Sequence, residues 1–429
     1  MDSGFFFCRV FGRKTVHTFG LALNRWRLHP RPENALGRQI VDFEFSADQQ
    51  AIRDAIAKIC GKYGDDYWLA RDTDGVFPED FVRDIAAGGW LGIAMPEAHG
   101  GAGLGVTEAA IVAQTIAQSG ACLSGASSIH INLFGPMPIV VFGTDEQKAK
   151  NLPPLIAGTD RCCFGVTEPD AGLNTMAITT RAERDGDHYI VHGRKMWTST
   201  AQTANKILLL ARTTPKEDCK KATEGLSLFY TDLDRGGATE VHEIAKMGRK
   251  AVDSNAVFFD GLRVPKEDLI GEEGKGFRYL LHGLNPERVL IAAEAIGIGR
   301  IALEKATTYA REREVFGRPI GQNQAIQHPL AKSWAELEAA NLMVFKAAAL
   351  YDADAACGAE ANAAKYLAAE AAFRACETSV MTHGGMGYAK EFHVERYLRE
   401  VMIARIAPVS RELVLSFIAE RVLELPKSY

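Results

Sequence analysis

Much is missing from this chain of 429 residues, and each absence excludes something. Its eight cysteines contain no Cys-x-x-Cys pair, which sets a cysteine-rich zinc site aside. Scattered thiols over so long a chain suit a reducing compartment without a disulfide framework. There is no surplus of positive charge; the formal net charge is -5, and a nucleic-acid binder finds no support in it. By residue count, no run approaches the ~18 apolar residues of a membrane-spanning helix. Nor is hydrophobicity low: 47% of residues are hydrophobic and 24% charged, so disorder of the whole chain is excluded.

Acidic residues are also scarce at the start. The first 40 residues hold Arg9, Arg13, Lys14, Arg25, Arg27, Arg31 and Arg38 against only Asp2 and Glu33. An Arg-rich, acid-poor, amphipathic leader is expected to direct a protein to the mitochondrial matrix. A disordered extension on a cytoplasmic protein is the alternative, and the segment is kept out of fold reasoning.

What is present falls into three stretches. Residues 41–160 read as a helical domain. It opens with Ile52, Ile56 and Ile59 at helical spacing behind Ser46 as N-cap. The glycines of His99–Gly105 lack the strand, helix and distant acid of a dinucleotide fingerprint and read as a turn. Residues 161–274 switch to a period of two. A hairpin is expected over 178–192 on a tight Asp185-Gly186 turn, followed by strands over 206–212, 226–233 and 256–264. Residues 275–429 return to helix, with Ala-rich stretches over 335–351 and 361–378. The fold class is therefore α+β, mainly α.

Two groups of residues suggest chemistry. Phe164-Gly-Val-Thr-Glu-Pro-Asp-Ala-Gly172 ends a short apolar run in a turn carrying a hydroxyl, an acid and a glycine. Lys195-Met-Trp-Thr-Ser199 sets an indole beside two hydroxyls, which suits a planar heterocycle. A surface strand with a half-buried Trp reads equally well. Further on, Arg313 and Arg318 flank a Phe316-Gly317 turn and could clamp a diphosphate, or be solvated arginines at a helix end.

Together with Met95–Leu104, Phe258–Pro265 and Gly384-Gly-Met-Gly-Tyr388, these segments resemble the acyl-CoA dehydrogenase family, in order and at family spacing over about residues 41 to 429. The resemblance implies a helical N-terminal domain, a middle β-barrel-like domain and a C-terminal four-helix bundle. It implies bound FAD, with Val166, Thr167, Trp197 and Ser199 around the flavin and its ribityl chain. Arg313, Phe316 and Gln324 are expected to reach the FAD of a neighbouring subunit. Gly384, Gly385 and Ser410 are expected to pass close to the cofactor. It also implies an acyl-CoA substrate in fatty acid metabolism, a homo-oligomer that is a dimer or a dimer of dimers, and electron-transferring flavoprotein as electron acceptor. An oxidase using O₂ and a catalytically inactive flavin-binding protein are the alternatives.

The family's usual base, a Glu in the last domain, has no counterpart here. Arg405-Ile406 match, but Pro408 stands at its position. Proline also lacks the N–H that would hold the thioester oxygen. A second subgroup carries the Glu on another helix, directly before an Arg. Gly283-Leu-Asn-Pro-Glu-Arg-Val-Leu290 matches that pattern, with Glu287 as the base and Arg288 as its substrate-binding neighbour. The same residues also read as a helix start, with Asn285 as N-cap and Pro286 at N1. Leu173 replaces the Ser with which the family touches CoA.

Overall fold

The computed structural model describes residues 43–428; the candidate leader lies outside the described residues. By contacts the chain divides after Asp54 into two units. Ser46 caps the helix Ala47–Cys60 as expected. Its hydroxyl accepts from the Gln49 N–H (3.2 Å), and the Gln49 side chain accepts from the Ser46 N–H (3.0 Å).

The second unit opens with helices. Val106–Ile116 continues through a looser turn, where Gly120 has φ 94°, into Cys122–Phe134. This corrects one expectation. Between Ala109 and Phe142 there is no Asp, Glu, Lys or Arg, and the helical run Val106–Phe142 is long and apolar enough by composition to cross a membrane. Serines and glutamines interrupt a count of apolar residues without much lowering mean hydropathy. The most apolar window of the run is 72% buried among the other elements of the fold, as in a core helix.

Eight strands follow: β1 (Cys162–Gly165), β2 (Arg181–Asp185), β3 (His188–Ser199), β4 (Lys206–Arg212), β5 (Leu226–Asp232), β6 (Thr239–Glu243), β7 (Ser254–Pro265) and β8 (Leu269–Ile270). They form one mixed sheet in the order β6-β7-β3-β2-β4-β5-β8, with β1 parallel to β4. The sheet does not close on itself: β6 and β8 are its two ends, so it is an open sheet and not a barrel. The hairpin turn sits one residue later than expected. Asp185 pairs with His188, and the two-residue loop is Gly186-Asp187, with Gly186 at φ 61°. Both faces are covered. Leu208 and Leu210 of β4 pack with Leu152, Tyr279 and Leu280, while Ile207 and Leu209 pack with Val191, Phe229 and Val257. Burial on both faces is why β4 reads as an unbroken apolar run.

The C-terminal helices are Gly276–Glu312, Gln324–Asp352, Gly358–His383 and Arg411–Arg421, packed as a bundle. A Cβ at Gly297 would lie 2.5 Å from the Gln114 carbonyl oxygen, and one at Gly299 would lie 2.5 Å from the Leu337 side chain. Glycine at these two positions lets the 276–312 helix press against its neighbours on both sides. Pro286 lies inside this helix, so Glu287 is not near a helix start and the capping reading of Asn285 is overturned. The missing N–H of Pro286 leaves the His282 carbonyl without its helical donor; the Tyr351 hydroxyl lies 3.5 Å from it. Burial of Tyr279 and Leu280 before the proline, and of Val289 and Leu290 after it, outweighs the lost bond.

Candidate active site

The turn after β1 is fastened to β3. The Met196 N–H donates to the Thr167 carbonyl (2.8 Å). Lys195, fully buried, donates to the Val166 carbonyl (3.1 Å) and to Glu168 (2.9 Å). Glu168 also accepts from both the N–H and the hydroxyl of Thr179 and from the Thr180 N–H. Burial alone would raise its carboxyl; the Lys195 charge and these donors hold it at about 2. Between Lys195 and Thr198, β3 carries two residues opposite one on β7, a bulge. It turns Trp197 to φ 61° and leaves its indole 56% exposed beside the Thr167 turn. The structure thus brings Val166, Thr167 and Trp197 together. Ser199 ends the same strand, and its hydroxyl accepts from Arg249 (3.1 Å).

Glu287 occupies a different environment. Its side chain is half-buried and makes no hydrogen bond or ion pair among the described residues. Burial pushes its carboxyl up to about 7; the charges of His130 and Arg288 pull against this, and that of Glu294 adds to it. A narrow apolar cleft is lined by Phe134, Gly135, Phe164, Leu280, Gly283 and Leu284. Leu280, Gly283 and Leu284 stand seven, four and three residues before Glu287, and therefore on its face of the helix. Arg288 turns back along its own helix, donating to the Leu284 carbonyl (3.3 Å) and Asn285 (3.1 Å), with its Nε buried and unpartnered. Glu412, in the helix Arg411–Arg421, is exposed. Its hydrogen bond from Arg411 (2.5 Å) holds its carboxyl below the ordinary range.

Sequence reading missed three polar groups behind this face. His130 Nδ1 lies 2.6 Å from Glu294 Oε1, and Glu294 is wholly buried. Arg249, half-buried, reaches Ser127 (3.3 Å), Ser199 and Ser254 (both 3.1 Å). The available signal was isolation: Glu294 is the only ionisable residue between Arg288 and Arg300, inside a run otherwise of Ala, Ile, Leu, Val and Gly.

The remaining expected residues lie elsewhere. Arg313, Phe316 and Gln324 follow the far end of the 276–312 helix. Twenty-six residues separate Arg313 from Glu287, ~39 Å of helix. Two short strands, β9 (Glu314–Val315) and β10 (Arg318–Pro319), close on a Phe316-Gly317 turn in which both residues have positive φ and Phe316 is fully exposed. A bulky residue held this way marks a strained tip. Gly384 and Gly385 are exposed, and a Cβ on either would meet nothing within 4 Å. Ser410 is the N-cap of the last helix, its hydroxyl accepting from the Leu413 N–H (3.3 Å). Pro408 lies just before it, and the Val409 carbonyl accepts from Lys365 (2.5 Å).

Three family models match the chain: the acyl-CoA dehydrogenase N-terminal domain at residues 46–159, the middle domain at 163–262 and the C-terminal domain at 274–423. The chain belongs to the acyl-CoA dehydrogenase family. It is 39% identical over 390 residues to acyl-CoA dehydrogenase fadE12 of Mycobacterium bovis, covering 90% of this chain and 98% of that one. Among solved structures it is similar to a glutaryl-coenzyme A dehydrogenase with glutaryl-CoA (30% identity, TM-score 0.85, 90% of this chain and 98% of that one). It is equally similar to a chain from a structure described as the electron transferring flavoprotein of Acidaminococcus fermentans (31% identity, TM-score 0.85, 90% and 100%). Acyl-CoA dehydrogenases are oxidoreductases acting on CH–CH bonds, and they bind FAD.

The residues present fit that cofactor. The half-buried Thr167 makes no side-chain hydrogen bond among the described residues. An unpartnered hydroxyl beside an exposed indole offers a donor and an apolar face to a ring with heteroatoms.

Proposed function

We propose that this chain catalyses the α,β-dehydrogenation of an acyl-CoA thioester to a trans-2-enoyl-CoA, with Glu287 as the base that takes the α-proton. One observation carries the reading: an unpaired carboxylate, lifted toward neutrality by burial, shares its helix face with three residues that line an apolar cleft. An acid of that kind accepts a proton at neutral pH far better than an ordinary Glu. Glu412, paired and exposed, has none of these properties.

FAD, when bound, supplies the acceptor for the hydride that leaves the β-carbon. Val166, Thr167, Trp197 and Ser199 would hold it, and Gly384 and Gly385 would let it pass close to the backbone. Arg313, Phe316 and Gln324, ~39 Å along the helix from Glu287, would serve the site of a second copy, which makes the active form an oligomer. Past Pro408, the Val409 N–H is the first backbone donor available to a thioester oxygen, and the grip of Lys365 on the Val409 carbonyl helps aim it. Arg288 would border the acyl group. Electron-transferring flavoprotein is the proposed redox partner, and the leader is proposed to direct the chain to the mitochondrial matrix.

Anaerobic mixing of the yellow holoenzyme with a panel of acyl-CoAs tests the reading. The expected result is bleaching of the flavin band by at least one member, and none on that timescale with Glu287→Gln. Parental bleaching in Glu287→Gln would overturn the assignment of the base. Rapid oxygen consumption during turnover would identify an oxidase.

A further inference from the structure

His130 and Glu294 are an uncommon expense in this core. Each comes from an element otherwise free of charge at that depth: His130 from a helix with no Asp, Glu, Lys or Arg, Glu294 from an apolar stretch of the 276–312 helix. They meet at 2.6 Å, 164 residues apart in sequence. The second Glu294 oxygen, Oε2, is buried without a hydrogen-bond partner among the described residues, so the pair is not there to saturate polar groups. Glu294 stands seven residues, two helical turns, after Glu287 and so shares its face. Phe134, four residues after His130, lines the cleft together with Gly283 and Leu284, which stand one turn before Glu287 on the same helix.

We propose that the His130–Glu294 pair is a positioning device for the base: the imidazolium, held in place by Glu294, sets the pH at which Glu287 gives up its own proton and becomes able to accept one from substrate. This rests on the reading of Glu287 as the base. The charges that act on His130 are those of Glu294 and Glu287 from the 276–312 helix and of Arg249 from the segment before β7. Burial works against a charged His130, and the charge and hydrogen bond of Glu294 outweigh it, so the ring holds its proton more tightly than an ordinary histidine. At Glu287 the positive ring then opposes the effect of burial, and it ranks ahead of Glu294, which acts in the reverse direction. Without the ring's charge, Glu287 would stay protonated further into the alkaline range and be a poorer acceptor at neutral pH.

The test is the pH profile of flavin reduction by one acyl-CoA in the holoenzyme. In the parent, the rate should rise through about pH 7 and level off, as expected for a base titrating there. His130→Asn keeps a side-chain N–H for Glu294 and removes the charge. Its midpoint should move up by about one pH unit, the size of one partly screened charge, leaving the rate at pH 7 about fivefold lower and the alkaline plateau unchanged. Glu294→Gln removes both the counter-charge and the ring's proton, two effects of opposite sign, so its upward shift should be smaller. It also keeps the test open if His130→Asn does not fold. Infrared titration of the protonated carboxyl band that vanishes in Glu287→Gln should show the same shifts without any turnover. Unmoved midpoints in both variants, with Glu287→Gln inactive, would overturn the pair's role and leave the base standing. A larger shift in Glu294→Gln than in His130→Asn would also overturn it. Parental activity in Glu287→Gln would instead bring down the base reading on which the pair depends.

Discussion

Glu168 and Glu287 are both carboxylates withdrawn from water, and the fold treats them in opposite ways. Glu168 accepts four hydrogen bonds, one from a buried lysine, and its carboxyl sits at about 2. Glu287 accepts none among the described residues, and its carboxyl sits at about 7. Burial acts on both in the same direction. Partners decide the outcome: where they are supplied the acid becomes a permanent charge that pins a turn, and where they are withheld it becomes a proton acceptor. One region spends polar groups on shape; the other leaves a polar group unsatisfied, as the proposed base requires.

The comparison can be broken most severely at Glu287. Glu287→Gln should keep FAD and fold but slow flavin reduction at least ~100-fold, read by anaerobic stopped flow. Lys195→Met strands Glu168 as a lone buried charge. A loss of about 3–5 kcal/mol in chemical denaturation is expected, together with looser FAD, because the Val166–Thr167 turn loses its anchor. Stability separates the two acids by sign as well. The Glu287 carboxyl is raised above its unfolded range, so its contribution is intact below about pH 4.5 and is lost as pH climbs through about 7. Glu287→Gln should therefore gain stability relative to the parent at pH 8 compared with pH 4, by on the order of 2 kcal/mol. Glu168 is depressed, so its contribution is present above about pH 4.5 and is lost on acidification toward 2. Arg313→Ala should weaken FAD retention about tenfold and shift sedimentation toward smaller species, if that guanidinium clamps a diphosphate across a subunit boundary. Asp170→Ala, which removes only the exposed pair with Arg194 (2.7 Å), should change stability by less than ~1 kcal/mol.

Much of the architecture was legible because hydrophobic period is local. The change from a helical repeat to alternation near residue 161, and back near 274, marks the sheet, and Ser46 marks a helix start. The segments expected to face the flavin stand out only through their order along the chain, since each alone reads as ordinary surface. What escaped was decided at long range. Proline-first logic put a helix boundary at Asn285, yet packing on both sides carries the helix straight through. Nothing local closes or opens a sheet, and the pairing partners of β6 and β8 settle it. His130 and Glu294 find each other only in three dimensions. The elevated acidity range of Glu287 likewise depends on neighbours that are absent, a property no motif records.

Pro286 has a consequence that hydrogen exchange can read. A continuous helix normally secures each carbonyl with an amide four residues on; here the one at His282 relies on a phenol from a different helix, at 3.5 Å. The rod that bears Glu287 therefore has a seam one turn from the acid, closed by a side chain rather than by backbone. Amides flanking the seam, residues 283–290, should exchange faster than those at 296–303 of the same helix. Tyr351→Phe should widen that gap while leaving the distal half as it was. The protection pattern would then trace where this helix can yield without unfolding.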